Sequence, residues 1–275
     1  MDIQRRAAFS HGATGGNPAG VLLDDRLPDP AQMQQIAADI GYSETVFAAP
    51  EGDAWRVRYF APEAEVPFCG HATIALGAAL GEAHGAGSYR LVLNDATISV
   101  RVTPDGRTTL TSPPVSHEAV PSTILNEALH LFALEPDALA NEIAPAFGFA
   151  GIGKFLLLPL ARQIDLRAMC YDQATGADFM RAHGLITVDL FWRETATLIH
   201  CRNAFAGHGV YEDPATGAAA SALGGYLRDA AGLGARFKLF QGGDMGMPSH
   251  LEVAPLEGEG APVEVSGETR IITAP

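Results

Sequence analysis

Cysteine is scarce: Cys69, Cys170 and Cys201 are the three in 275 residues. An odd number cannot pair completely and the spacing matches no metal motif. A disulfide framework is therefore excluded, and reduced thiols in a cytoplasm are expected. Positive charge is also short. Eighteen Lys and Arg stand against 32 Asp and Glu, a net charge of −14. Nucleic acid needs a basic face and anionic membranes attract basic segments, so neither is expected as a partner. An anionic substrate would have to be drawn by local amides rather than by the global field. No apolar run reaches transmembrane length. The start, Met1-Asp2-Ile3-Gln4-Arg5-Arg6, lacks the apolar core of a signal peptide. A nucleophile-elbow pattern for a serine hydrolase is missing. His71, His208, Cys69 and Asp213 include no pair at i, i+3 or i, i+4 spacing, which argues against a helical metal motif.

What is present is 47% apolar residues with charges of both signs, the mark of a globular chain long enough for one large domain or two ordinary ones. It is organised around Phe60-Ala61-Pro62-Glu63-Ala64-Glu65-Val66-Pro67-Phe68-Cys69-Gly70-His71-Ala72-Thr73. A strand ends there, a loop with two prolines follows, and a small-residue helix starts at Gly70. The first amides of a helix lack intrahelical partners and its dipole is positive at that end, so the turn is a natural seat for a carboxylate. The stretch occurs twice. Glu65 to Leu80 overlays Glu212 to Leu227 without a gap, with 8 of 16 positions identical. Ala/Gly-rich composition inflates that match but leaves the shared Glu-x-Pro-x-x-Gly prefix unexplained. The spacing is too long for a solenoid, so two related halves are expected.

Around these two turns the chain reads as strands and helices of an α+β protein. Strands are expected at 3–9, 21–23, 42–48 and 55–60, with a helix begun by Asp29-Pro30 and stopped by Gly41. An antiparallel meander follows at 89–93, 97–102 and 108–111. Ser112-Pro113-Pro114 with Ser116-His117 marks a linker. The second half repeats the plan: helices at 123–134 and 174–183, strands at 155–160, 186–191, 197–202, 237–241, 251–253, 263–265 and 269–273. Between the strands at 237–241 and 251–253 lies a glycine loop, Gly242 to Pro248, that either covers a site or merely turns.

Candidate chemistry centres on acid/base groups. Glu44 stands in a β-branched, aromatic strand, either facing solvent or employed. A carboxylate drawn out of water holds its proton more tightly, which suits a general base near neutral pH. His71 is either a surface helix residue or a site residue, and Asp213 either a simple cap or a participant. Cys69, at a helix start, offers a thiolate. Two-thiol racemisation would need a second cysteine, and the repeat places Thr216 opposite Cys69. One-base elimination stays open.

Gly16-Asn17-Pro18-Ala19-Gly20, Ser43-Glu44-Thr45, the Phe60 to Thr73 stretch, Glu212-Asp213-Pro214-Ala215-Thr216-Gly217, and Gln241-Gly242 with Met245-Gly246-Met247-Pro248-Ser249 together resemble the PhzF-like family of phenazine-biosynthesis isomerases. The resemblance spans nearly the whole chain in order. It implies the diaminopimelate-epimerase-like fold: two pseudo-symmetric domains, each a curled mixed sheet around a central helix, with the site in the cleft between them. The domains would be 1–115, joined by a C-terminal strand at 269–275, and 116–268. It implies no cofactor, a small carboxylate substrate and a homodimer. Glu44 would be the general acid/base, aided by His71 and Asp213. Cys69, Gly70, Thr216, Gly217 and Ala218 would bind substrate. The family's Ser after Thr-Gly is Ala218 here, and its Arg before Pro is Met247, so the phenazine-pathway substrate is itself in question. An epimerase, racemase or dehydratase using Cys69, and an idle ligand-binding relative, are the alternatives.

Overall fold

The computed structural model describes residues 2–273. The chain folds as two compact units, residues 2–111 with 266–273, and Ser112–Val265.

The first unit contains β1 (Gln4–Ala8), β2 (Asn17–Leu23), α1 (Pro30–Ile40), β3 (Glu44–Glu51), β4 (Ala54–Phe60), β5 (Glu65–Val66), α2 (Gly70–His84), β6 (Gly87–Val92), β7 (Thr97–Val102) and β8 (Thr108–Thr111). Asp29 accepts the Gln32 amide at 3.0 Å, Pro30 opens α1, and Gly41 ends it at φ 70°, as the capping residues foretell. Met33 and Ala37 of α1 pack with Leu22, Phe47 and Phe60 against the sheet. Burying Met33 alone is worth roughly 1.5–3 kcal/mol. α2 is buried on every side from His71 to Leu80, so it has no amphipathic face and serves as the central core helix. It touches β1, β2, β3, β6, β7 and β8.

The second unit contains β9 (Val115–Ala119), α3 (Ser122–Leu131), β10 (Ala146–Ala150), β11 (Gly153–Leu160), α4 (Gln163–Arg167), α5 (Gln173–His183), β12 (Thr187–Thr195), β13 (Leu198–Ala204), β14 (Glu212–Asp213), α6 (Gly217–Asp229), β15 (Phe237–Gln241), β16 (Ser249–Pro255) and the start of β17 (Val263–Gly267), which runs across the boundary after Val265. α6 is its central helix, against β9, β10, β11 and β16. The last strand, β18 (Thr269–Ile271), pairs antiparallel with β1.

The strands repeat sense for sense. In the first unit β1–β2 is antiparallel, β2–β3 parallel, β3–β4 and β4–β5 antiparallel, β4–β6 parallel and β6–β7 antiparallel. β10 to β16 follow the same sequence of senses. The fold is thus α+β, with a mixed sheet curled around a central helix in each unit. The identical Gly77 and Gly224 have one cause. A Cβ at Gly77 would lie 2.5 Å from Thr108 Cγ2, and one at Gly224 2.8 Å from Val253 Cγ1, so each central helix meets its sheet too closely for any side chain.

Several expectations need correction. Ser116 and His117 are not linker but part of β9, paired with Phe149 and Gly148 of β10. The boundary between units falls at Thr111/Ser112, ahead of the Pro pair. β2 begins at Asn17 rather than at 21, and its Pro18 pairs with Ala7; the expected strand is short because neither proline nor glycine favours one.

Candidate functional site

Glu44 is the first residue of β3, and Cys69 and His71 lie across the start of α2. The β4–β5 turn returns the chain so that these three side chains meet. His71 Nε2 lies 3.4 Å from Glu44 Oε2 and 3.4 Å from Ser43 Oγ, while its Nδ1 lies 3.3 Å from Cys69 Sγ. Cys69 and His71 are buried, and Glu44 keeps 17% of its side chain exposed. A proton can therefore pass between carboxylate and imidazole at a place that solvent or ligand reaches through Glu44. Gly70 and His71 supply first-turn amides on the positive end of α2.

Beneath this turn runs a buried chain that sequence reasoning missed. Thr73 Oγ1 donates to the Cys69 carbonyl at 2.6 Å, so the Tyr59 hydroxyl, 2.6 Å from Thr73 Oγ1, is the donor to it. Burial pushes the Tyr59 phenol upward, which keeps it a donor. Tyr59 thus fixes the carbonyl of the residue that opens α2.

In the second unit Asp213 and Thr216 come together at the start of α6. Gln241, buried, donates from Nε2 to the Asp213 carbonyl at 2.7 Å and to Thr216 Oγ1 at 2.9 Å, and accepts the Thr216 amide at Oε1 at 3.1 Å. Thr216 Oγ1 in turn donates to Asp213 Oδ2 at 2.5 Å. The donor directions are forced, because an amide nitrogen only donates and a carboxylate only accepts. Gln241 therefore sets the orientation of both residues. Nothing marks it in the sequence beyond its place in the late motif, since it lies 25 residues past Thr216. Gly242 holds φ 73°, and a Cβ there would sit 2.4 Å from the Met247 carbonyl oxygen and 2.7 Å from that of Pro214, so only glycine fits this junction. The glycine loop after it borders a cavity of about 360 Å³, lined also by Arg167, His200, Cys201 and His250.

The repeat places the chemistry unevenly. Phe60 faces Glu65 as Ala204 faces Glu212, and Thr45 faces Phe60 as Val188 faces Ala204. Glu44 therefore corresponds to Thr187, Cys69 to Thr216 and His71 to Ala218. Glu44, Cys69 and His71 stand at the first helix start, whereas at the second Gly217 and Ala218 bring only backbone and the side chains present are Asp213 and Thr216. The same register explains the shared Glu of the prefix. Arg58 pairs bidentately with Glu65, and Arg202, its counterpart, with Glu212. Both glutamates anchor the entry to a central helix and neither is a free acid.

The chain matches the family described as phenazine biosynthesis-like protein over residues 6–274. It belongs to that family. An uncharacterized isomerase of Deinococcus radiodurans is 31% identical over 271 residues, covering 94% of this chain and 87% of its own. Relatives in Bacillus subtilis and Escherichia coli also carry the name isomerase, and isomerase is the class of activity. The crystal structure of a PhzF-family phenazine biosynthesis protein of Bacillus anthracis matches with a TM-score of 0.85 at 22% identity, over 99% of this chain and 98% of its own. A probable proline racemase of Agrobacterium radiobacter matches with a TM-score of 0.65 at 14% identity, over 98% and 90%. These two likenesses speak to the fold alone. No helix among the described residues is long and apolar enough to cross a membrane.

Proposed function

We propose that the protein is a cofactor-independent isomerase that moves a proton, and with it a double bond, within a small amino or hydroxy carboxylate of the dihydrohydroxyanthranilate kind. The observation that supports it best is the contact of Glu44 Oε2 with His71 Nε2 at 3.4 Å, beside the amides that open a buried helix, in a family of isomerases. Glu44 takes a proton from the carbon next to the alkene. The C–H electron pair becomes a new double bond, the old double bond shifts, and its far carbon receives the proton from Glu44 or His71. Nothing is oxidised or reduced. The amides of Gly70 and His71 are assigned to the substrate carboxylate. Asp213 is assigned, with His71, to positioning the substrate and assisting proton transfer; Thr216, Gly217 and Ala218 are assigned to substrate binding, and a homodimer in the cytoplasm completes the proposal.

A second reading draws on Cys69 Sγ, 3.3 Å from His71 Nδ1: a thiol base for epimerisation or elimination. Two variants separate the readings. Glu44→Gln is expected to lower turnover by about 10²–10⁴-fold, while Cys69→Ser retains most of it. A larger loss in Cys69→Ser, measured on the same substrate panel, would transfer the base to the thiol.

A further inference from the structure

Across β12, β13, β15 and β16 the sheet carries one row of rings. Trp192 pairs with His200, His200 with Phe240 and Phe240 with His250. The ring centroids are 5.4, 5.4 and 4.0 Å apart along the row. Side chains alternate between the two faces of a strand. Val253 meets α6 at Gly224, so Leu251 and its register partners Leu239 and Ile199 share that inner face. The rings, one position along each strand, stand on the other face, where the proposed reaction uses none of them.

The cavity of about 360 Å³ lies over this row. His200, Phe240 and His250 line it from the sheet, Arg167 from α4 and Asp244 from the glycine loop. No residue assigned above to substrate or proton transfer lines it. Its size falls at the lower end of the roughly 300–1,000 Å³ of ligand pockets, with room for one substituted ring. A flat ring packs against such an aromatic floor by stacking or by its edge. Glu194 holds His200 Nε2 at 2.7 Å, so that part of the floor is fixed. Arg167 is exposed, and among the described residues its guanidinium has no hydrogen bond or ion pair; only its carbonyl is engaged, by Arg202. An unpaired guanidinium matches a carboxylate bidentately. Such a local cation is needed in a chain of net charge −14, whose field repels anions. Asp244 would repel a bare anion as well, but a carboxylate accepts hydrogen bonds, so it suits a ligand that also carries an amino or hydroxyl group.

We propose that this cavity binds a planar aromatic carboxylate carrying an amino or hydroxyl group. The ring packs on the row centred at Phe240, the carboxylate pairs with Arg167, and the amino or hydroxyl group donates to Asp244. The site uses none of the proton-transfer groups and stands whether or not the isomerase reading holds.

Calorimetric titration with the three aminobenzoate isomers tests it, with benzoate, cyclohexanecarboxylate and aniline as controls. Wild type is expected to bind at least one isomer, one equivalent per chain, and to bind cyclohexanecarboxylate and aniline about tenfold or more weakly. Arg167→Gln, at an exposed side chain, weakens that isomer by about tenfold or more, the loss of a hydrogen-bonded charge partner. Phe240→Leu weakens it as well, at a melting temperature that shows the fold is kept. Asp244→Ala narrows the preference for the isomer over benzoate. Glu44→Gln leaves this equivalent unchanged. No binding of any isomer, equal affinity in wild type and Arg167→Gln, or loss of the equivalent in Glu44→Gln overturns the site. Cyclohexanecarboxylate binding as tightly as benzoate overturns the aromatic class. Full turnover by Glu44→Gln would overturn the isomerase reading and leave this site standing, so the two can fail separately.

Discussion

Asp189 occupies in β12 the position that Val46 holds in β3, fully buried on the sheet. Asn203 donates to its Oδ1 at 3.2 Å, and its Oδ2 has no hydrogen-bond partner. Burial raises its pKa to about 8, against weaker lowering by Cys201 and Asn203, so the folded protein keeps this carboxyl neutral. An unfolded aspartate titrates near roughly 3.9. Between those values the unfolded state binds fewer protons, so the contribution of Asp189 to stability is full below about pH 4 and is lost as pH rises to about 8. Asp189→Asn removes the titration. Its advantage over wild type is expected to grow from pH 4 to pH 8, reaching a few kcal/mol, since each pH unit between the unfolded and folded values contributes about 1.4 kcal/mol. Denaturant melts of both proteins across that range check this, and parallel profiles would contradict it. The buried thiol of Cys201, held well above its usual value by burial, is correspondingly inert.

At the scale of elements, the repeat-related ion pairs make an internal comparison. Arg58 and Glu65 keep 18% and 27% of their side chains exposed, Arg202 and Glu212 10% and 3%. Arg202 also donates to the carbonyls of Arg167 and Met169, so it holds α4 and the following turn as well as β14. Glu212→Gln leaves a buried guanidinium without its charge partner and is expected to cost about 3–5 kcal/mol. Glu65→Gln, at a wetter site, is expected to cost about 1 kcal/mol or less. Equal losses in urea melts would contradict the burial argument. The Arg58 guanidinium holds the Glu65 carboxyl below its ordinary value, so that small contribution is present above the usual carboxylate range and fades on acidification.

Elements with local signals were legible in the sequence. α1 announces itself by its Asp cap and Gly stop, and α5 by its Gly stop, closing at Gly184 with φ 63°. β10 escaped notice because Ala146-Phe147-Gly148-Phe149-Ala150 has no β-branched residue; a Cβ at Gly148 would meet Leu157 Cδ1 at 2.7 Å. Cys69 and His71 were readable as neighbours at a helix start. Arg58, Arg202, Tyr59 and Gln241 were not, because each acts through strand register on a residue of another element.

For the whole chain, one strand order is used twice with unequal chemistry. The first unit carries Glu44, Cys69 and His71 at its helix start, where the second carries Thr187, Thr216 and Ala218. Both units share the scaffold, the anchoring Arg–Glu pair and the glycine that lets helix meet sheet, but the set of Glu44, Cys69 and His71 stands in the first alone. The proposed proton shift, in which Glu44 removes the proton and Glu44 or His71 returns it, is the central claim. Proton NMR in D₂O tests it most directly, with trans-2,3-dihydro-3-hydroxyanthranilate and a panel of small amino and hydroxy carboxylates. The expected result is deuterium in a product whose double bond has moved, formed by wild type and slowed by about 10²-fold or more in Glu44→Gln. Exchange confined to an α-carbon with no double-bond shift, or a product formed as fast by Glu44→Gln, would contradict it.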